Sequence, residues 1–158
     1  MTNHLWAPWR MDYIKRPREQ KTGCVLCNYN RKDDDLVIHK TKESLVVMNL
    51  YPYNNGHVMI CPTDHVSKFG MLSDNFKLEM FSYISLITNF IEKEMGAQGF
   101  NVGANIGKAA GAGIDDHFHM HIVPRWSGDT NFMPVIGITK VQISTLIETC
   151  NLIKQAFK

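Results

Sequence analysis

From Leu36 onward, short apolar runs alternate with clusters of turn-forming residues. LVIHK, SLVVMNL and HVMICP are rich in β-branched side chains and are separated by the charged turn KTKE and by YPYNNG. This pattern predicts three successive strands paired as an antiparallel meander. The period then changes. Phe76, Met80, Ile84, Ile87, Ile91 and Met95 recur at spacings of three and four, which is the apolar stripe of an amphipathic helix. Ser73 or Asp74 can cap its start and Gly96 can end it. GFNVGAN and HFHMHIVPR then supply two more strands, and a second helix is expected over 144–157. The order strands, helix, strands, helix argues an α+β domain with an antiparallel sheet of about five strands and two main helices on one face. Residues 1–35 are rich in Trp, Arg, Pro and Cys without a clear period. They read as an extended arm of the same domain, whose body is 36–158.

Length and composition bound the problem without naming a function. At 158 residues and 44% hydrophobic, one compact domain with a real core is expected. A formal net charge of +2 lacks the broad electrostatic footprint of a nucleic-acid binder, although an anionic substrate could still meet local positive groups. No apolar stretch reaches membrane-spanning length, and MTNHLWAPWRMDY has neither the charged start nor the apolar run of a signal peptide. A cytoplasmic protein with no membrane partner is expected. Four cysteines with one close pair, Cys24 and Cys27, are not a disulfide framework.

The chemistry concentrates in HFHMHIVPRW. His117, His119 and His121 alternate with Phe118, Met120 and Ile122, so a strand would present all three imidazoles on one face and core residues on the other. At a rise of about 3.3 Å per residue, the outer two Cα atoms lie roughly 13 Å apart. That disfavours one metal held by all three, since zinc to nitrogen bonds are only about 2.0–2.1 Å. A row of imidazoles suits a long polyanionic substrate, with a central nucleophile and flanking donors. Just upstream, GANIGKAAGAGIDD departs from the Walker A spacing, and Lys108 is followed by Ala109 rather than Ser or Thr. Glycines there can bring backbone N–H groups close to an anion, or form a plain surface turn. Its position before the histidines favours the phosphate-lining role.

Cys24 and Cys27, in GCVLCN, have the spacing of a zinc thiolate pair. A redox dithiol is the alternative, but that chemistry wants a strand-to-helix junction rather than an irregular arm. Two unmetalled thiols are the bland reading. If zinc binds, it needs two more ligands, and His65 and His117 are candidates.

HFHMHIVPRW fits the histidine-triad (HIT) pattern, and NLYPYNNGHVMICPTDH resembles the matching strand-turn-strand of that superfamily of nucleotide hydrolases and transferases. LWAPWRMDYI and WSGDTNFMPV look most like its diadenosine tetraphosphate phosphorylase branch. The resemblance implies an α+β fold, usually a homodimer, and catalysis on the α-phosphate of an adenine nucleotide through a nucleotidyl-histidine. By the same resemblance, His119 is the nucleophile and His121 the partner that hydrogen-bonds the phosphoryl group. Asn49 stands where the family places an Asn or Asp on the ribose hydroxyls. Asn105 matches a phosphate-side or leaving-group-side amide, and Gly113 with Ile114 occupies the loop touching the α-phosphate. Trp126 stands near the substrate, and His57 is similar to a histidine that supports the substrate-contacting groups from behind. In zinc-bearing members the metal ligands correspond to Cys24, Cys27, His65 and His117, so structural zinc is expected, with no cofactor needed for the chemistry.

There are departures from the family pattern. Many hydrolase members carry Gln and then Ser or Thr where this chain has Gly113 and Ile114. Two side-chain donors are missing, which leaves backbone N–H groups and Asn105 to stabilise developing charge. This is compatible with inorganic phosphate, rather than water, as acceptor. The expected function is therefore a dinucleoside polyphosphate phosphorylase. The alternatives are a HIT-type hydrolase of dinucleoside polyphosphates or phosphoramidates, and a nucleotide-binding protein without turnover. Removing His119 is expected to abolish turnover with little loss of stability, on the premise that its face is lined by solvent. The WAPWR arm is either an interaction segment or a cover for the core.

Overall fold

One sheet of five antiparallel strands, in the spatial order β1-β2-β3-β5-β4, organises the protein. The computed structural model describes residues 23–31, 34–129 and 144–158. The strands are β1 (Val37–Lys40), β2 (Ser44–Met48), β3 (Val58–Pro62), β4 (Gly99–Gly103) and β5 (Met120–Arg125). β1 to β3 form the expected meander. β5 then inserts beside β3, and β4 closes the edge, with Val58 opposite Ile122 and Gly103 opposite His121. Every residue of β2 and β3 is buried. A strand with both faces covered reads as a continuous apolar run, as SLVVM and VMICP do.

The two faces are covered by different things. Val46, Met48, Val58, Ile60, Met120 and Ile122 point into the main core, where they meet Phe76, Met80, Ile87 and Ile91 of α2 (Asp74–Met95) and Cys150 and Ile153 of α3 (Leu146–Ile153). Ser73 caps α2 by accepting from the Phe76 N–H, and Gly96 ends it in the left-handed region at φ 64°. Thr145 and Glu148 cap α3 reciprocally, and a 3-10 turn over Lys154–Phe157 continues it to the chain's last residues. The two main helices thus share one face, as the sequence predicts.

The opposite face carries Leu45, Val47, Met59 and Cys61, and here the structure differs from the sequence reading. Part of the expected irregular arm is a helix, α1 (Val25–Arg31), whose Leu26 is fully buried against those four residues. Seven residues are too few to show a period, so α1 owes its helical form to the packing of Leu26 rather than to propensity. Residues 1–22 and 130–143 lie outside the described residues. Trp6, Trp9 and most of the LWAPWRMDYI and WSGDTNFMPV blocks therefore do too. Among the described residues, no helix is long and apolar enough to cross a membrane.

Candidate active site

The histidines occupy the start of β5 and the segment that leads into it. The strand proper begins at Met120, so only His121 lies within it, and His117 and His119 precede it. The alternation nevertheless persists beyond the ladder. Phe118 and Met120 enter the main core, while the imidazoles turn toward the opposite side. The reason is a tie outside the sheet: the Phe118 N–H donates to the Val66 carbonyl at 2.6 Å, which holds the segment extended.

His119 and His121 stand edge to face, with ring centroids 4.8 Å apart. His119 Nδ1–H donates to the carbonyl oxygen of His117 at 2.9 Å, which places the lone pair on Nε2. Burial pushes this imidazole toward its neutral form, a shift only partly opposed by the hydrogen bond to His117. His119 is therefore a neutral imidazole, oriented and basic at one nitrogen, which is what a nucleophile requires. It is 5% exposed. The premise that its face is lined by solvent is therefore not met, and its removal is now expected to cost stability.

A chain of hydrogen bonds fixes the neighbouring ring. The Tyr53 N–H donates to His57 Nδ1 at 3.0 Å, so the His57 proton sits on Nε2. From there it points at His121 Nδ1, 2.9 Å away. His121 must then carry its own proton on Nε2, and that nitrogen is a donor. The backbone of the YPYNNGH turn thereby sets the tautomer of a residue more than sixty positions away. His57 is fully buried and stacked on Tyr53, with ring centroids 4.8 Å apart. Tyr53 is the residue that the sequence reading missed, since it acts through its backbone N–H. The turn is held by Gly56 at φ +73°, where an added Cβ would stand 3.2 Å from Pro124 Cγ.

Asn49 closes this group. Its Oδ1 accepts from the Tyr51 N–H at 2.9 Å, and its Nδ2 lies 3.4 Å from His57 Nε2. Ile114 packs on the cluster formed by Leu26, Leu45, Val47, Met59 and Cys61, so the glycine-rich loop lies over the same sheet face as His121. Gly113 and Asn105 are half-buried within that loop. Trp126 is placed differently. Its indole N–H donates to the Met95 carbonyl at 3.1 Å, and its ring packs against the main core rather than among the imidazoles.

A second cluster adjoins the first. One ligand atom from each of Cys24, Cys27, His65 and His117 lies within 4.8 Å of every other. His117 Nδ1 is 3.3 Å from Cys24 Sγ and 3.5 Å from Cys27 Sγ, and His65 Nδ1 is 3.3 Å from Cys27 Sγ. In a tetrahedral zinc centre with bonds of about 2.0–2.3 Å, neighbouring donors stand about 3.3–3.8 Å apart. The three Nδ1 to Sγ distances match that spacing, so the four residues fit a zinc site whose remaining separations, up to 4.8 Å, would tighten around the ion. Their outer partners fit as well: His117 Nε2–H donates to the Pro62 carbonyl at 2.9 Å, and His65 Nε2 lies 3.7 Å from Asp116 Oδ2. Each histidine thus presents Nδ1 inward while its other nitrogen is oriented from outside. The thiol pair lies at the start of α1, which removes the argument against a redox dithiol based on an irregular arm. The two histidines beside it now carry the preference for metal. Cys61 is a neighbour without a ligand's chemistry, since burial, reinforced by Cys24, holds its thiol protonated.

The HIT domain profile matches residues 30–128, a span that includes all three triad histidines. The chain belongs to the HIT domain family. It is 35% identical over 161 aligned residues to the AP-4-A phosphorylase of Mycobacterium tuberculosis, covering 94% of this chain and 81% of that protein. A Zn-bound histidine triad family protein from Mycobacterium smegmatis has the same fold, at TM-score 0.69 and 23% identity over 85% of this chain and 92% of that one. A histidine triad nucleotide-binding protein from Sulfolobus tokodaii superposes at TM-score 0.67 and 25% identity, over 84% and 91% of the two chains. Five antiparallel strands with two main helices is therefore a HIT architecture in this chain, as its sequence predicts.

Proposed function

We propose that this HIT protein is a dinucleoside polyphosphate phosphorylase working through a nucleotidyl-histidine. One observation carries the reading: His119 donates from Nδ1 to a backbone carbonyl and keeps the Nε2 lone pair beside the donor His121. In the first step Nε2 attacks the α-phosphorus and the bond to the bridging oxygen breaks, that oxygen leaving with the electron pair. The His117 carbonyl stabilises the positive charge that the ring acquires. In the second step an oxygen of inorganic phosphate attacks the same phosphorus and the nitrogen–phosphorus bond breaks, restoring neutral imidazole. Diadenosine tetraphosphate plus phosphate gives ATP plus ADP. His121 and the backbone amides around Gly113 and Ile114 donate to the equatorial oxygens in both steps. Asn49 takes the ribose hydroxyls and Asn105 the leaving-group side.

Support for phosphate as acceptor comes from the likeness to the M. tuberculosis AP-4-A phosphorylase over nearly the whole chain. The alternative is hydrolysis of dinucleoside polyphosphates or phosphoramidates, with water attacking the same intermediate and yielding AMP. Cys24, Cys27, His65 and His117 hold a structural zinc ion that supplies no step of the chemistry. Four cysteines without a disulfide suit a reducing, cytoplasmic setting, and a homodimer is the assembly the family resemblance supports. The test is incubation of the protein with diadenosine tetraphosphate and isotopically labelled inorganic phosphate. Labelled ADP is the expected product. Unlabelled AMP would assign the hydrolase alternative, and no product at all would leave a binding protein.

A further inference from the structure

The loop between β4 and β5 leaves from and returns to the imidazoles. It departs from Gly103, which pairs across the ladder with His121, and it re-enters at His117, two residues before His119. Ile114 pins it to the sheet face that His121 occupies. Within 103–114, GANIGKAAGAGI, Asn105 and Lys108 are the only side chains that can donate a hydrogen bond, and Lys108 is the only charged one. Lys108 opens a 3-10 turn, Lys108–Ala110, bracketed by Gly107 and Gly111 at φ 81° and 83°. Its ammonium nitrogen lies 3.5 Å from Asp115 Oδ2, one residue beyond the pinned Ile114. This ion pair joins a side chain 80% exposed to one 30% exposed. A pair so open to water is weak and readily exchanged.

An anion with two charges competes for such a lysine better than one carboxylate does. We propose that Lys108 is a specificity-determining residue: its ammonium leaves Asp115 to bind the phosphate beyond the α-phosphorus, first in the leaving nucleotide and then in the inorganic phosphate that replaces it. Asp115 parks the lysine at the rim of the site between turnovers. A second phosphate position built this way explains how a loop without side-chain donors at Gly113 and Ile114 can still recognise a polyphosphate. The inference rests on the phosphorylase reading for its two ligands, whereas the placement of Lys108 stands on the loop geometry alone.

Binding and turnover test these two levels separately. Binding of inorganic tripolyphosphate, followed by calorimetry at fixed ionic strength, is expected to weaken about ten-fold in Lys108→Ala. It should be largely retained in Lys108→Arg and strengthened two- to three-fold in Asp115→Asn, where the internal competitor is gone. Equal affinity in wild type and Lys108→Ala would overturn the proposal, whether or not the wild type turns over diadenosine tetraphosphate. In turnover, Lys108→Ala should lower the preference for diadenosine tetraphosphate over adenosine 5′-phosphoramidate, which has no second phosphate, by about ten-fold in kcat/KM. The KM for inorganic phosphate should rise in parallel. A loss equal for both substrates would mark a merely structural lysine and reject the assignment. A rise in KM for phosphate with unchanged substrate preference would restrict the site to the acceptor and overturn its first half.

Discussion

His119→Ala removes the atom that would carry the nucleotidyl group, and the surrounding hydrogen bonds say what else it should disturb. The His117 carbonyl loses its donor, and an enclosed ring is replaced by a void. Turnover of diadenosine tetraphosphate is expected to fall by on the order of 10³-fold or more, with a stability loss of about 1–3 kcal/mol measured by denaturant unfolding. Near-normal activity in that variant would remove His119 from the role. His57→Phe asks a subtler question. It keeps the volume and the stacking on Tyr53, yet it leaves the Tyr53 N–H without its acceptor and no longer dictates which nitrogen of His121 carries the proton. We expect kcat to drop about 10–100-fold while nucleotide affinity changes little. An unchanged kcat would show that the His121 tautomer is set by something other than His57. At this scale the sequence was informative because imidazoles alternating with apolar residues constrain each other. Tyr53 escaped because it acts through its backbone N–H, which no residue type announces.

The elements most legible in the sequence are those whose period outlasts their ends. α2 runs twenty-two residues, long enough for Phe76, Met80, Ile87 and Ile91 to define a stripe, and its caps are the expected Ser73 and Gly96. β5 was legible as alternation but starts later than its pattern does, because Phe118 is held by Val66 rather than by a neighbouring strand. α1 was invisible because one buried leucine makes no period. The junction after β5 depends on Asp129, whose carboxylate accepts from the Asn54 side chain, the Trp126 N–H and Arg125 Nε. It thereby ties the end of the strand to the YPYNNGH turn. Burial acts to raise its pKa, but those three donors outweigh it and hold the group below the usual carboxylate range. A folded pKa depressed in this way contributes stability that is fully present above the ordinary carboxylate range and is lost as pH falls through the lowered value. Asp129→Asn is therefore expected to cost about 1–3 kcal/mol at neutral pH. The cost should shrink as the pH of the unfolding measurement is taken below about 4. A difference from wild type that stayed constant with pH would show that the carboxylate charge is not what holds the junction.

For the molecule as a whole, the cluster of Cys24, Cys27, His65 and His117 bears on whether its two buried faces are equally secure. The main core is built from α2, α3 and the sheet, with long apolar side chains throughout, and needs nothing further. Among the described residues, the opposite face has a small cluster and one short helix, whose stability on its own is marginal. Cys24 immediately precedes α1 and Cys27 lies within its first turn, whereas His65 follows β3 and His117 precedes β5. A zinc ion there would join three segments distant in sequence and fasten α1 to the sheet, so its binding energy would count as folding energy for that face. Removing it with a chelator is expected to lower Tm by several degrees and to expose amides of α1 to hydrogen exchange first, while the amides of α2 remain protected. Cys27→Ser should reproduce this without chelator and bind less than stoichiometric zinc. Because His117 also supplies the carbonyl that orients His119, activity should fall in step with the exposure of α1, and restoring zinc should recover both. Loss of activity with α1 still protected would mean that the metal acts on the reaction directly, and the division between a structural centre and a metal-independent nucleophile would have to be abandoned.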